Sequence, residues 1–486
     1  MTGLPAGSHR LRSILGNAGT LTGGRLSLAV LRFAATLVLV QRAGLDRFGE
    51  FALILSIVMV AEWLSDFGLA DVAVRQIAAD PKRRRATMSA FAVSKAVQGV
   101  LAAAVMAAGM SLAGYAEHIV RSGLIAGAAV VLYAGVQVYR VEFRSRLQLG
   151  RDVTAELVSA VVFMAAIWLA TGAGASLEGL TLCYVLSRAV HLLAAAALAR
   201  AWPEVVLDRA FRAELRVLAR ACVPLGLTGL MVSTYDAMEQ IALSHWSTSA
   251  EVGIFSFAMR IMMLALVVEQ ALAMAVYPVL AAQWAHDREA FTRTLQAVLN
   301  WGLLIAGALF CALHTSAHGL LALVKSDPQP IAEVLRWLSW AIPARAAVAL
   351  VGPMLVISGR LSRAVWIPMV VVAAKWGLLT VLASRGAVGA AMAFLIAEIG
   401  VGLLPNLLFC QHASGVWLKW SVPLRIIAAA ITVALSTSVL GLTGTLLQGV
   451  LATFTFLALA AALGAIQLKP LRQLMLNLAN RRNGRA

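Results

Sequence analysis

Arg25, Arg32, Lys95, Arg188, Arg260, Arg345 and Lys375 all fall inside long apolar stretches, as do the acids Glu62, Asp66, Asp236, Glu239, Glu269 and Glu398. An ionised side chain in hydrocarbon is costly unless it faces water, an anion or an opposite charge, so such residues mark either a pathway or a set of ion pairs. The cations suit an anionic substrate, and arginine in particular grips phosphate through two parallel N–H donors. Arg25 and Arg32 stand two helical turns apart and share a face. The acids can bind a coupling cation or proton, or gate a cavity by pairing with arginines. Each has a plainer reading beside it. Arg25 and Lys95 can snorkel to an interface, Arg188 and Glu398 can sit in static ion pairs, and Asp66 can organise the loop after its helix.

These charges need membrane helices to position them. The 486 residues are 61% hydrophobic and 13% charged, with a mean hydropathy of +0.84. That leaves too little polar surface to cover a soluble fold. About fourteen apolar runs follow one another, near 19–41, 48–70, 88–112, 122–143, 153–172, 177–199, 219–244, 252–281, 294–314, 333–358, 364–384, 387–410, 421–441 and 445–467, each of a length to cross about 30 Å of hydrocarbon. None alternates as a barrel strand would, so the spacing predicts an all-α polytopic membrane protein. Breaks are expected in the long eighth and tenth runs. Pro224, Pro278, Pro343, Pro353, Pro368 and Pro405 fall within the runs, where they serve as hinges or as fixed kinks.

Two halves of the chain read as copies of one unit. Gly49-Glu50-Phe51 matches Gly253-Ile254-Phe255, which sets Arg32 on Asp236; Gly179 matches Gly389, which sets Arg188 on Glu398; Gly150-Arg151 matches Gly359-Arg360. The three matches share nearly one offset, about 204 to 210 residues. Repeated apolar units with ionisable residues near the midplane are a common plan of secondary transporters.

The net charge of +17 follows mainly from topology. With a cytoplasmic N-terminus, inside segments hold roughly 27 Lys and Arg against roughly 6 outside, as the positive-inside rule requires. Arg140, Arg144 and the run Lys82-Arg83-Arg84-Arg85 belong to that inside set, the run also suiting anionic lipid. Nucleic acid is therefore the weaker reading of the charge. Cys183, Cys222, Cys311 and Cys410 lack metal-ligand spacing and read as packing residues. No phosphate-cradling Gly-rich loop is present, so the sequence implies no cofactor; coupling to a proton, to sodium or to membrane potential alone all fit. The longest outside loop, about 315–332, is too short for a catalytic module.

The stretch RFAATLVLVQRAGLDRFGEFALILSIVMVAEWLSDFGLADVAVRQIA, residues 32–78, resembles the opening of polysaccharide transporters of the multidrug/oligosaccharidyl-lipid/polysaccharide exporter superfamily. Leu45-Asp46-Arg47-Phe48-Gly49-Glu50-Phe51 fills the family's first turn, and Asp66-Phe67-Gly68-Leu69 with Val74-Arg75 its second element. YDAMEQIALS (235–244), VGIFSFAMR (252–260), YPVLA (277–281) and the stretch 359–398 resemble later elements. The chain departs from the family where Ala43-Gly44-Leu45-Asp46 replaces the usual first turn.

The resemblance implies two pseudo-symmetric six-helix lobes, as in multidrug exporters of the superfamily, around a V-shaped cavity: an N-lobe over 19–200 and a C-lobe over 219–410. A cytoplasmic N-terminus (1–18), an inter-lobe linker (201–218), two extra helices (421–467) and a basic cytoplasmic tail (468–486) complete the organisation. It implies a flippase of the bacterial inner membrane, moving an undecaprenyl-pyrophosphate-linked oligosaccharide between leaflets by alternating access, with polysaccharide polymerase and chain-length proteins as partners. The substrate-binding cations would be Arg25, Arg32, Lys95, Arg188, Arg260, Arg345 and Lys375, and the coupling or gating acids Asp66, Asp236, Glu239 and Glu398. A drug exporter or peptidoglycan-precursor flippase of the same fold, and a membrane glycosyltransferase or polymerase, remain as alternatives.

Overall fold

The computed structural model describes residues 7–200, 205–321, 327–360 and 366–466, with side chains from Gly23 onward except that of Arg209. The basic tail 468–486, the first six residues, linker residues 201–204, Lys325 and Arg363 lie outside the described residues. In chain order the helices are α1 (Gly7–Asp66), α2 (Leu69–Ala79), α3 (Arg84–Leu112), α4 (Glu117–Ser145), α5 (Leu149–Gly172), α6 (Leu177–Ala199), α7 (Arg209–Ala221), α8 (Val223–Trp246) and α9 (Ser249–His286). They continue as α10 (Arg288–Leu320), α11 (Gln329–Ser339), α12 (Ile342–Val351), α13 (Pro353–Ile357), α14 (Trp366–Leu382), α15 (Gly386–Leu395), α16 (Leu404–Ser414), α17 (Ser421–Val439) and α18 (Leu446–Ala462). A π-helical stretch, Ile396–Leu403, joins α15 to α16. No strand occurs among the described residues.

Among the described residues, nine stretches can cross a membrane by length and apolarity, or eleven if each of two bent helix pairs is one span. The first two apolar runs are two helices of α1 that meet at Gly44, where the backbone turns (φ 83°, ψ 171°). Only glycine takes that conformation without a Cβ clash. The runs 364–384 and 387–410 likewise share the span Trp366–Ser414, and Leu446–Ala462 is a shorter apolar helix.

The eighth run is unbroken, with Pro278 inside α9. The tenth breaks into α11, α12 and α13. Pro405 follows the π-helical stretch within the span Trp366–Ser414, whereas Pro224, Pro343 and Pro353 each stand in the first turn of a helix. There the missing N–H would have had no helical partner, so these prolines start helices and do not interrupt them.

Contacts group the chain into two compact units: residues up to Arg260 with Val372–Ala393, and Ile261–Val371 with the chain from Phe394 onward. Within the first, α1 ends at Asp66, and Lys95 of α3 closes that end. Lys95 Nζ donates to the Ser65 carbonyl at 2.9 Å and to Asp66 Oδ1 at 3.2 Å, filling an acceptor that a helix C-terminus leaves open. Amphipathic α7 packs Phe211, Leu215 and Leu218 onto the apolar cluster around Ala73, Ile77 and Phe91. Its Glu214 turns inward to Arg83. Arg212, Arg216 and Arg220 occupy the exposed face.

Candidate functional site

Inside the first unit a continuous chain of charges runs across α1, α4, α5 and α6. Glu156 of α5 accepts from Arg32 Nη2 at 2.5 Å with one oxygen and from Arg140 Nη2 at 3.3 Å with the other. Arg140 Nε also donates to Asp152 at 3.0 Å, and Nη1 to the Tyr133 hydroxyl at 2.9 Å. The Tyr133 ring lies 4.3 Å from the Arg188 guanidinium, within cation–π range. Arg188 Nη2 then donates to Glu62 at 2.7 Å and to the Tyr184 hydroxyl at 2.6 Å, while that hydroxyl donates to Glu62 at 3.3 Å. Charge-assisted bonds of this kind in a low-dielectric interior hold the helices in fixed register.

A cavity of about 240 Å³ opens beside the chain, walled by Glu62, Trp63, Asp66, Asp71, Tyr133, Arg140 and Arg144 among others. Its wall carries three carboxylates and two guanidiniums, and Arg188 and Lys95 pair with two of those carboxylates. The cations here are neutralised in place.

Arg260 is different. Its guanidinium bonds the Thr36 hydroxyl and lies 5.1 Å from the Phe48 ring, and among the described residues no carboxylate pairs with it. The charge acting on it is that of Arg32. Thr36 in turn donates to the Arg32 carbonyl at 2.9 Å. Arg32 keeps 57% of its side chain exposed. The Thr36 hydroxyl thus lies between the Arg260 guanidinium and the Arg32 main-chain carbonyl, while the Arg32 side chain pairs with Glu156.

Lys375 and Glu239 pair at the contact of α14 with α8, with 0% and 1% of their side chains exposed. The ammonium also donates to the Tyr235 carbonyl at 2.6 Å and sits 3.5 Å from the Tyr235 ring centre. Asp236, next in sequence, is exposed, and so is Arg25. In the second unit, Arg345 of α12 holds Glu398 of the π-helical stretch at 3.7 Å. Of the residues expected from sequence, the structure joins Lys95 with Asp66, Lys375 with Glu239 and Arg345 with Glu398; Arg188 finds Glu62.

Sequence reasoning missed Glu156, Arg140, Asp152, Tyr133 and Tyr184. Arg140 had been counted as a cytoplasmic topology signal, but α4 continues past it to Ser145. Glu156 stands among apolar residues in the fifth run and should have drawn attention there. Among the described residues no three His, Cys, Asp or Glu side chains converge as a metal site would need.

The fold and these polar seams define a multi-pass helical membrane protein of transporter type. The chain belongs to the polysaccharide biosynthesis protein family, whose family model matches residues 14–284; a second model, MatE, matches 224–383. Together these place it in the multidrug/oligosaccharidyl-lipid/polysaccharide exporter superfamily. No curated protein matches it in sequence. Among solved structures it is similar to the lipid II flippase MurJ in an inward closed conformation (TM-score 0.74, 12% identity, covering 93% of this chain and 99% of that one). It is also similar to an inward-facing multidrug resistance MATE family transporter (TM-score 0.61, 16% identity, 80% and 96%). A third is a superfamily transporter from Pyrococcus furiosus Vc1 (DSM3638), described for the reverse polarity of its binding pocket (TM-score 0.54, 16% identity, 82% and 96%).

Proposed function

We propose that the chain is a flippase for a lipid-linked oligosaccharide. It would move an undecaprenyl-pyrophosphate-borne glycan from the cytoplasmic to the outer leaflet of a bacterial inner membrane by alternating access, for cell-surface polysaccharide synthesis. The observation that carries this reading is Arg260, a half-buried guanidinium beside Arg32 with a hydroxyl and a ring for partners and no carboxylate among the described residues. A cation so placed needs an anion to offset its desolvation, and a pyrophosphate headgroup supplies one with oxygens suited to two guanidinium forks. Membership of a polysaccharide biosynthesis family and likeness in fold to a lipid II flippase support a lipid-borne sugar. Membrane lipids would hold the isoprenoid tail, and polymerase and chain-length proteins would take the delivered product.

The test is the leaflet in which lipid-linked glycan accumulates in a deletion strain, complemented with wild type, Arg260→Ala and Arg32→Ala. Wild type should clear the inner-leaflet pool and Arg260→Ala, inserted at equal level, should not. Flipped but unpolymerised glycan outside the deletion strain would point to an enzyme acting after the flip.

A further inference from the structure

Helix α7 sorts its charges by face. Its one carboxylate, Glu214, is buried, pairs with Arg83 and accepts from the Thr87 hydroxyl at 3.4 Å. Phe211, Leu215 and Leu218 lie on the same side, packed onto the apolar cluster of α2 and α3. The capping carboxylate of Asp208 is taken up by the Phe211 N–H at 2.7 Å. Arg212, Arg216 and Arg220 stand on the opposite face at intervals of four residues, all three exposed. Among the described residues no carboxylate pairs with them.

Successive members of this stripe are about 6 Å apart along the axis, and like charges at that spacing repel. A topology signal requires basic residues on one side of the membrane, but not their alignment on one face of a helix. The surroundings indicate what offsets the repulsion. α6 ends at Ala199 and α8 begins at Val223; α7 lies between them, bent by 51° from α8. It thus sits where one apolar helix ends and the next begins, at the level of lipid headgroups. Val217, 41% exposed, follows Arg216 directly, and Leu207, 70% exposed, precedes the helix. Arginines alone would serve an acidic protein. Arginines beside exposed apolar side chains fit the boundary between headgroups and acyl chains.

We propose that the exposed face of α7 is a docking surface for anionic phospholipid. Headgroup phosphates lie along Arg212, Arg216 and Arg220, with Val217 and Leu207 at the acyl boundary. The buried Glu214–Arg83 pair fixes the rotation of the helix and so the direction of the stripe. Because α7 runs into α8 at Cys222, bound lipid also steadies the bend between them. The inference goes beyond the transport reading and does not depend on the cargo.

The full chain, carrying a photoreactive benzophenone side chain at position 217, is reconstituted in vesicles of phosphatidylglycerol and phosphatidylcholine in equal parts. Labelled copies of each lipid are scored for capture. Phosphatidylglycerol should be captured in about fivefold preference or more, the worth of one basic residue at an anionic surface. The combined variant Arg212→Gln, Arg216→Gln and Arg220→Gln should bring capture close to parity. Removing the same charge elsewhere, by Arg288→Gln, Arg293→Gln and Lys419→Gln together, should leave the preference in place. The proposal is overturned if wild type captures both lipids equally, or if the distant variant loses the preference as fully as the α7 variant. Capture of neither lipid would also overturn it and leave the stripe to an acidic protein. Should the α7 variant fail to fold, salt decides: a preference that survives about 1 M salt, where charges are screened within about 3 Å, is not electrostatic and sinks the proposal. No glycan lipid enters the measurement, so failed glycan complementation would count against the cargo alone.

Discussion

Gly49 and Gly253, equivalent positions of the internal repeat, lie against each other. A Cβ on Gly49 would stand 1.8 Å from the Ser249 carbonyl oxygen, and one on Gly253 would stand 2.2 Å from that of Leu45. Backbone meets backbone there, which is how small residues let membrane helices approach.

Gly49→Ala and Gly253→Ala should each destabilise the protein by about 1–3 kcal/mol, the range of overpacking. The double variant should cost less than the sum, since one displacement relieves both clashes. Thermal unfolding in detergent, compared across the four proteins, measures this.

Lys375→Met should be severe, by about 3–5 kcal/mol, because it leaves Glu239 charged and buried without its partner. Lys375→Met combined with Glu239→Gln should recover most of the loss. If the double variant is as unstable as the single one, the ion pair is not what Lys375 contributes. Folded yield and unfolding temperature provide the readout.

Arg188→Lys should behave more like Arg188→Ala than like wild type. A single ammonium cannot hold Glu62 and the Tyr184 hydroxyl while stacking on Tyr133 as a planar guanidinium does. Near-wild-type stability and complementation by Arg188→Lys would show that charge alone suffices.

Arg260→Ala should weaken binding of a pyrophosphate-bearing isoprenoid by about ten- to a hundredfold, the worth of a charge-assisted bond. Tryptophan-quenching titrations at two salt concentrations would check this. Equal affinity in wild type and variant would remove Arg260 from the headgroup site.

The class of fold was legible because hydrocarbon enforces it: runs the length of a membrane crossing admit little but helix. The mid-membrane charges were legible for the same reason. Their partners were not. Arg188 was read as a candidate for an ion pair, but that its partner is Glu62 was not visible, because no sequence pattern states which helix face meets which. Glu156 was overlooked because one acid in an apolar run resembles an interfacial residue until its two neighbours, Arg32 and Arg140, are in place. The bend at Gly44 was legible too, since the runs 19–41 and 48–70 stop on either side of a turn that contains this glycine.

The closure of α1 by Lys95 also bears on how the chain is made. When α1 leaves the ribosome its last carbonyl and Asp66 are still without their ammonium, which arrives only with α3. The first hairpin is therefore an incomplete object in the bilayer, and the segment through Lys95 is the shortest nascent chain in which that helix end is satisfied.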